Sequence, residues 1–163
     1  SIVVPINSKK KGQTFERIVA KKLSTSFAPL VFNRTPSSGA TIGGKNEKRL
    51  DEFDHRAKTL ILSDIVCTNG KFDYAIEAKS YNAFDGLEKL ISGTSQIYQW
   101  YNEVVIDSKK ADLMPLLVFK FNRTPIFSAV SKDHISQLPT SYIEKNNLII
   151  ALFDDIIPCL LVQ

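Results

Sequence analysis

Apolar residues recur at helical spacing near the start of the chain, where Phe15, Ile18, Val19 and Leu23 predict a helix over residues 14–26. Thr14 is placed to cap it, and Glu16 falls in its first turn beside the apolar stripe. Residues 30–33 predict a short strand ending at Arg34, and the Thr-Pro-Ser-Ser-Gly run at 35–39 a turn. Residues 40–58 are polar and densely charged, which predicts a loop with one helical turn at most. Residues 60–67 are apolar and β-branched apart from Ser63 and Asp64, and Asn69-Gly70 leads to a second apolar run at 72–79, so the pair reads as a hairpin. One or two helices follow over 84–106, on Leu87, Leu90, Ile91, Ile97, Trp100, Tyr101 and Val104. Two strands at 116–121 and 126–130 come next, and strand-like material over 148–162 is broken by Asp154, Asp155 and Pro158. This order of helix, strands, helix, strands predicts a mixed α/β domain.

At 163 residues and 44% hydrophobic content, the chain fits one globular domain over 1–163. No apolar stretch approaches the roughly 20 residues of a membrane span, so no membrane role is expected and the protein reads as soluble and intracellular. Cys67 and Cys159 sit in apolar runs and read as buried thiols, and with only two histidines a Cys/His zinc site is not expected. The charge is uneven. Residues 1–50 carry ten Lys/Arg against two acids, a balance of +8, whereas residues 51–163 carry eleven against fifteen, a balance of −4. Lys9, Lys10 and Lys11 thus form a basic N-terminal arm over 1–12 that would attract a phosphate backbone by counterion release, or else stand solvated without a partner.

Strand alternation places Phe72, Tyr74, Ile76 and Ala78 on one face and Asp73, Ala75, Glu77 and Lys79 on the other. Asp64, in the apolar first arm of the hairpin, would be costly to bury without compensation. Two carboxylates facing each other from paired strands offer oxygen ligands to a hard cation such as Mg²⁺, and an adjacent ammonium can orient the attacking water and stabilise charge at phosphorus. A structural ion pair of Glu77 with Lys79, with Asp64 on a backbone N–H, fits the same pattern.

Asp64 followed thirteen residues later by Glu77-Ala78-Lys79 resembles the PD-(D/E)XK nuclease signature. Its context resembles archaeal-type Holliday-junction resolvases and their phage-encoded relatives: Gly12-Gln13-Thr14-Phe15-Glu16-Arg17, Asn33-Arg34-Thr35-Pro36-Ser37-Ser38-Gly39, Ser63-Asp64-Ile65-Val66 and Ile76-Glu77-Ala78-Lys79-Ser80. The resemblance covers residues 10–130. It implies a restriction-endonuclease-like core, a central mixed β-sheet flanked by helices. It further implies Asp64, Glu77 and the Ala78 carbonyl as metal ligands, Lys79 as the catalytic lysine, and Glu16 as the acid that completes the site. Arg34 and Ser38 would approach the scissile DNA backbone. Gln96 matches a glutamine of some recombination-type nucleases, although Trp100 stands where their tyrosine would be. Trp100, Tyr98 and Tyr101 otherwise read as core or dimer-interface aromatics.

The cofactor implied is Mg²⁺, with Mn²⁺ able to substitute, and no organic cofactor. The implied partner is branched DNA, cut by a homodimer, in the host cytoplasm if the chain is phage-encoded. Residues 40–58 exceed what compact resolvases require and read as a loop insertion. A same-fold nuclease acting on linear or nicked duplex, and a non-catalytic DNA-binding module, are the alternatives.

Overall fold

The computed structural model describes residues 8–36 and 55–163. Within them the elements run α1 (Ser8–Ser26), β1 (Phe32–Arg34), α2 (His55–Leu62), β2 (Ile65–Cys67), β3 (Tyr74–Tyr81), α3 (Leu87–Ser92) and α4 (Gln96–Lys110). The second half adds β4 (Met114–Phe121), β5 (Phe127–Ser131), β6 (Ile143–Lys145), β7 (Leu148–Leu152) and the short α5 (Phe153–Ile156). The strands form one seven-stranded sheet in the order β1-β2-β3-β4-β5-β7-β6. Its central pair, β3 and β4, is parallel over eight residues from Tyr74↔Met114 to Tyr81↔Phe121, and the other pairs are antiparallel. The expected central mixed sheet flanked by helices is therefore the architecture observed.

Period-two alternation divides the core between the two faces of this sheet. Tyr74 and Ile76 of β3, Leu116 and Val118 of β4, Val130 of β5 and Ile149 of β7 pack with Phe15, Val19 and Leu23 of α1 and with Phe153 and Ile156 of α5. The opposite residues Leu117, Phe119, Phe121, Ala129 and Ile150 pack with Ile97, Trp100 and Val104 of α4. Trp100 is 3% exposed and stacks among Tyr81, Phe119 and Phe121, so it is a core residue, as expected of it. Cys67 and Cys159 are buried free thiols.

Three boundaries differ from expectation. The first helix begins at Ser8 rather than at residue 14, so Lys9, Lys10 and Lys11 lie in its opening turns and not in an extended arm. Thr14 is consequently no cap; its hydroxyl donates to the Lys10 carbonyl one turn back, at 2.9 Å. Leu60, Ile61 and Leu62 belong to α2 rather than to the hairpin, which leaves β2 only three residues long. Asn69 does not close a tight hairpin turn either: its side chain accepts from Val31 N at 2.7 Å and donates to the Pro29 carbonyl at 2.9 Å, pinning the loop before β1. After β7 the chain turns helical at residues 153–159, where strand-like material was expected.

Of the one or two helices expected over 84–106, the structure has two, α3 and α4. Gly93, at φ 85°, ends α3 in the left-handed conformation, and Ser95 caps α4 by accepting from Ile97 N at 3.2 Å. Most of the 40–58 insertion lies outside the described residues, and its last four residues open α2.

Candidate active site

Asp64 stands immediately before β2, where the sheet begins to open. The β2–β3 ladder contains a single registered pair, Ile65↔Ile76. Beyond it, side chains take over from backbone. Ser63 Oγ accepts from Ile76 N at 2.9 Å, Asp64 N donates to the Ile76 carbonyl at 2.8 Å, and Asp64 Oδ2 accepts from Ala78 N at 2.9 Å. The Asp64 carboxylate thus occupies the place that a continuing strand would have filled, which meets part of its burial cost. A strand residue directs its N–H and C=O to the same edge, so the Ala78 carbonyl faces the Asp64 side as well.

Glu77 and Lys79 project together from the face of β3 opposite the α1 core, with Lys79 Nζ 3.2 Å from Glu77 Oε1. Burial, and next the charge of Asp64, push the Glu77 carboxyl up to about 8, although Lys79 acts in the other direction. Burial works against the Lys79 ammonium, yet the charge and hydrogen bond of Glu77, with smaller help from Tyr81 and Glu103, carry its pKa above the ordinary value. The ammonium therefore stays charged, while burial and the charge of Asp64 disfavour ionisation of Glu77.

Glu16 is only 7% exposed on α1, and its carboxylate accepts from Arg34 Nε at 2.9 Å. Arg34 ends β1 in register with Ile65, and the next residue, Thr35, donates its N–H to the Asp64 carbonyl at 2.8 Å. Glu16, Arg34 and Asp64 are in this way linked through consecutive contacts. Among the described residues, no three or more His, Cys, Asp or Glu side chains are grouped to hold a metal ion, and Glu16 pairs with Arg34.

Gln96 is exposed in the first turn of α4, where its N–H donates to Asp85 Oδ2 at 2.7 Å. It precedes Glu103 by two turns, about 10 Å of axial rise, and among the described residues its backbone hydrogen bond goes to Asp85 and not to Asp64, Glu77 or Lys79. Ser38 lies outside the described residues. Lys11 is held by Asn82 and Asn122, whose Oδ1 atoms lie 3.2 and 2.7 Å from its Nζ. Tyr98 and Tyr101 spend their hydroxyls on the backbone, at the Leu90 carbonyl and at Ser131 N.

Sequence reasoning missed two acids on α4. Glu103 lies 3.9 Å from Lys79 Nζ, and Asp107, one turn later, adds its charge to those that raise Glu77. Burial, with Glu103 adding to it, also carries the Asp107 pKa above its ordinary value. Their signal was available: both sit three residues beyond the buried Trp100 and Val104, on the flank of the stripe that α4 presents to the sheet.

An Asp at the opening of one strand, facing Glu-x-Lys on the next, has the form of a PD-(D/E)XK nuclease site. Over residues 7–154 the chain matches the model of a family described as "Phage putative PDDEXK endonuclease", and it belongs to that family. Among solved structures, Hjc, a Holliday junction resolvase from the archaeal hyperthermophile Archaeoglobus fulgidus, is similar with a TM-score of 0.40 and 13% identity, covering 90% of this chain and 91% of that one. No curated protein sequence matches the chain. No helix among the described residues is long and apolar enough to cross a membrane.

Proposed function

We propose that this endonuclease-family chain is a divalent-metal-dependent enzyme that hydrolyses DNA phosphodiester bonds at the opened end of β3, with branched DNA as its preferred substrate. The observation that carries the hydrolytic reading is the convergence of Asp64 on the Ala78 amide beside the Glu77–Lys79 pair. The donors there are oxygens only, and the mutual repulsion of Asp64 and Glu77 favours a cation between them. Two carboxylates with a main-chain carbonyl suit Mg²⁺, or Mn²⁺ in its place, because Mg²⁺ is commonly held by one or two carboxylates together with substrate phosphate and water.

When bound, such a cation polarises the phosphoryl oxygen and lowers the pKa of the attacking water. Asp64, Glu77 and the Ala78 carbonyl would hold it. Lys79 supplies the charge that stabilises the developing negative charge at phosphorus, and Glu77 with Glu103 directs the ammonium. Glu16 holds the Arg34 guanidinium toward the backbone of the cleaved strand.

The branched-DNA preference is supported by the resolvase-like series of motifs around Glu16, Arg34, Asp64 and Glu77. A two-fold branched substrate calls for two symmetric sites, hence a homodimer. Leu87 and Ile91, 62% and 64% exposed on α3, are among the exposed apolar side chains that would serve one. The test is a panel of matched four-way, splayed, single-stranded and linear duplex DNA with Mg²⁺ or Mn²⁺. Preferential cutting of the four-way junction is expected. Equal cutting of linear duplex would replace the junction reading with a restriction or repair type, and no cutting with either metal would overturn the nuclease reading.

A further inference from the structure

Beyond the candidate active site, the opening turns of α1 meet the ends of β3 and β4 around a concavity of about 370 Å³. Lys10, Lys11 and Lys120 line it together with the hydroxyl-bearing Thr14 and Ser80. No carboxylate is among its described lining residues. Ser80 and Lys120 are register partners across the parallel ladder, so the strands themselves set their placement. Lys11 is fixed by two neutral acceptors, Asn82 and Asn122, and those two residues are joined by the Asn122 N–H to Asn82 carbonyl bond at 3.2 Å. Among the described residues neither Lys11 nor Lys120 pairs with a carboxylate, whereas Lys22 on the same helix is bound to Asp154 at 2.9 Å. Among the described residues, the charges of Lys11 and Lys120 are therefore gathered here without a carboxylate partner, which favours an external anion.

The position relative to Lys79 identifies that anion. Ser80 follows Lys79 directly in β3 and projects from the other face of the sheet, and Glu77 lies three residues, about 10 Å, earlier. Because Lys79 and Ser80 are consecutive on opposite faces of β3, a DNA strand rounding the end of that strand from a phosphate at Lys79 would bring a neighbouring phosphate to Ser80 and Lys120. We propose that this concavity binds a backbone phosphate flanking the scissile one, with Lys10, Lys11 and Lys120 as phosphate ligands and Ser80 as a hydroxyl donor. This rests on the nuclease reading for its choice of anion. It makes the basic start of α1 part of a formed site shared with β4, and it assigns Lys120, which charge clustering in the sequence does not single out.

The experiment is equilibrium binding of a fluorescently labelled DNA duplex across a salt series, without divalent metal, by the full chain and by Lys120→Gln, Lys10→Gln and Lys109→Gln. Lys109 lies before the start of β4, at the far end of that strand, and serves as the control. Lys120→Gln and Lys10→Gln are each expected to weaken binding several-fold and to lower the slope of log affinity against log salt by about one, with Lys109→Gln unchanged. Slopes equal to wild type for both Lys120→Gln and Lys10→Gln would overturn the site, as would an equal loss in Lys109→Gln. Binding is read without cleavage, so a chain that binds with these lysine-dependent slopes but cuts no DNA would overturn the nuclease reading and leave the phosphate site standing.

Discussion

The two edges of β3 are built differently. Toward β4 it runs in register for eight residues, flanked by Leu116, Leu117, Val118 and Phe119, all buried. Toward β2 it makes one registered pair, after which the Ser63 hydroxyl and the Asp64 carboxylate answer the backbone in place of a strand. A closed ladder satisfies every backbone group internally and leaves nothing to offer a ligand. An interrupted one must recruit polar side chains, and here they bring a carboxylate, a free-standing edge and an ammonium to one place. The candidate chemistry sits where the sheet is incomplete, and the long parallel pair beside it holds Glu77 and Lys79 rigidly enough to matter.

Substitutions on the two sides should therefore fail differently. At the open edge, Lys79→Ala should lower the single-turnover cleavage rate on the order of hundreds-fold while metal and DNA still bind, because a charge is lost but the oxygen donors remain. Loss of DNA binding in that variant would make Lys79 a structural or docking residue. At the closed edge, Leu117→Ala should destabilise the fold by about 2–5 kcal/mol in denaturant titration, through the cavity it leaves between β4 and α4. Under conditions where that variant stays folded, its cleavage should survive, and a loss of cleavage comparable with Lys79→Ala would erase the distinction between the edges.

A smaller effect distinguishes them by pH. Glu77 holds its proton up to about 8 in the folded chain, whereas an unperturbed glutamate releases it near 4.5. Between those values the folded state carries more protons than the unfolded one, so this contribution to stability is complete below about 4.5 and declines as pH rises toward 8. The metal-free melting temperature should accordingly lose a component across that window, and Glu77→Gln should remove that component. A Glu77→Gln profile that parallels wild type throughout would show that Glu77 is not the group responsible.

The sequence already carries much of this contrast. Alternation along 72–79 separates the apolar face from Glu77 and Lys79, and the placement of Asp64 in an apolar run marks it as a carboxylate in need of partners. What it does not carry is where the ladder stops. The run Leu60-Ile61-Leu62 fits a strand or a buried helix equally well, and packing of Leu62 with Ala75, Ala111 and Leu113 decides for α2. The start of α1 is hidden for a related reason: residues 8–12 are lysine-rich and show no apolar period, although they continue the helix. Helical spacing places Glu103 and Asp107 on the flank of the buried α4 stripe, but that this flank meets Lys79 depends on α4 crossing the same face of the sheet, a tertiary fact.

The central claim is that Asp64 and Glu77 form a cation site at the open edge of β3 and that this site cuts DNA. Its most direct test is to measure melting temperature with and without Mg²⁺, alongside junction cleavage, for the wild type and Asp64→Asn. Mg²⁺ should raise the melting temperature of the wild type and not of the variant, and cleavage should disappear in the variant while its metal-free fold is equally or more stable. Near-wild-type cleavage by Asp64→Asn, or a loss of fold without any Mg²⁺ response in the wild type, would contradict the account and leave Asp64, Glu77 and Lys79 as a structural charge network.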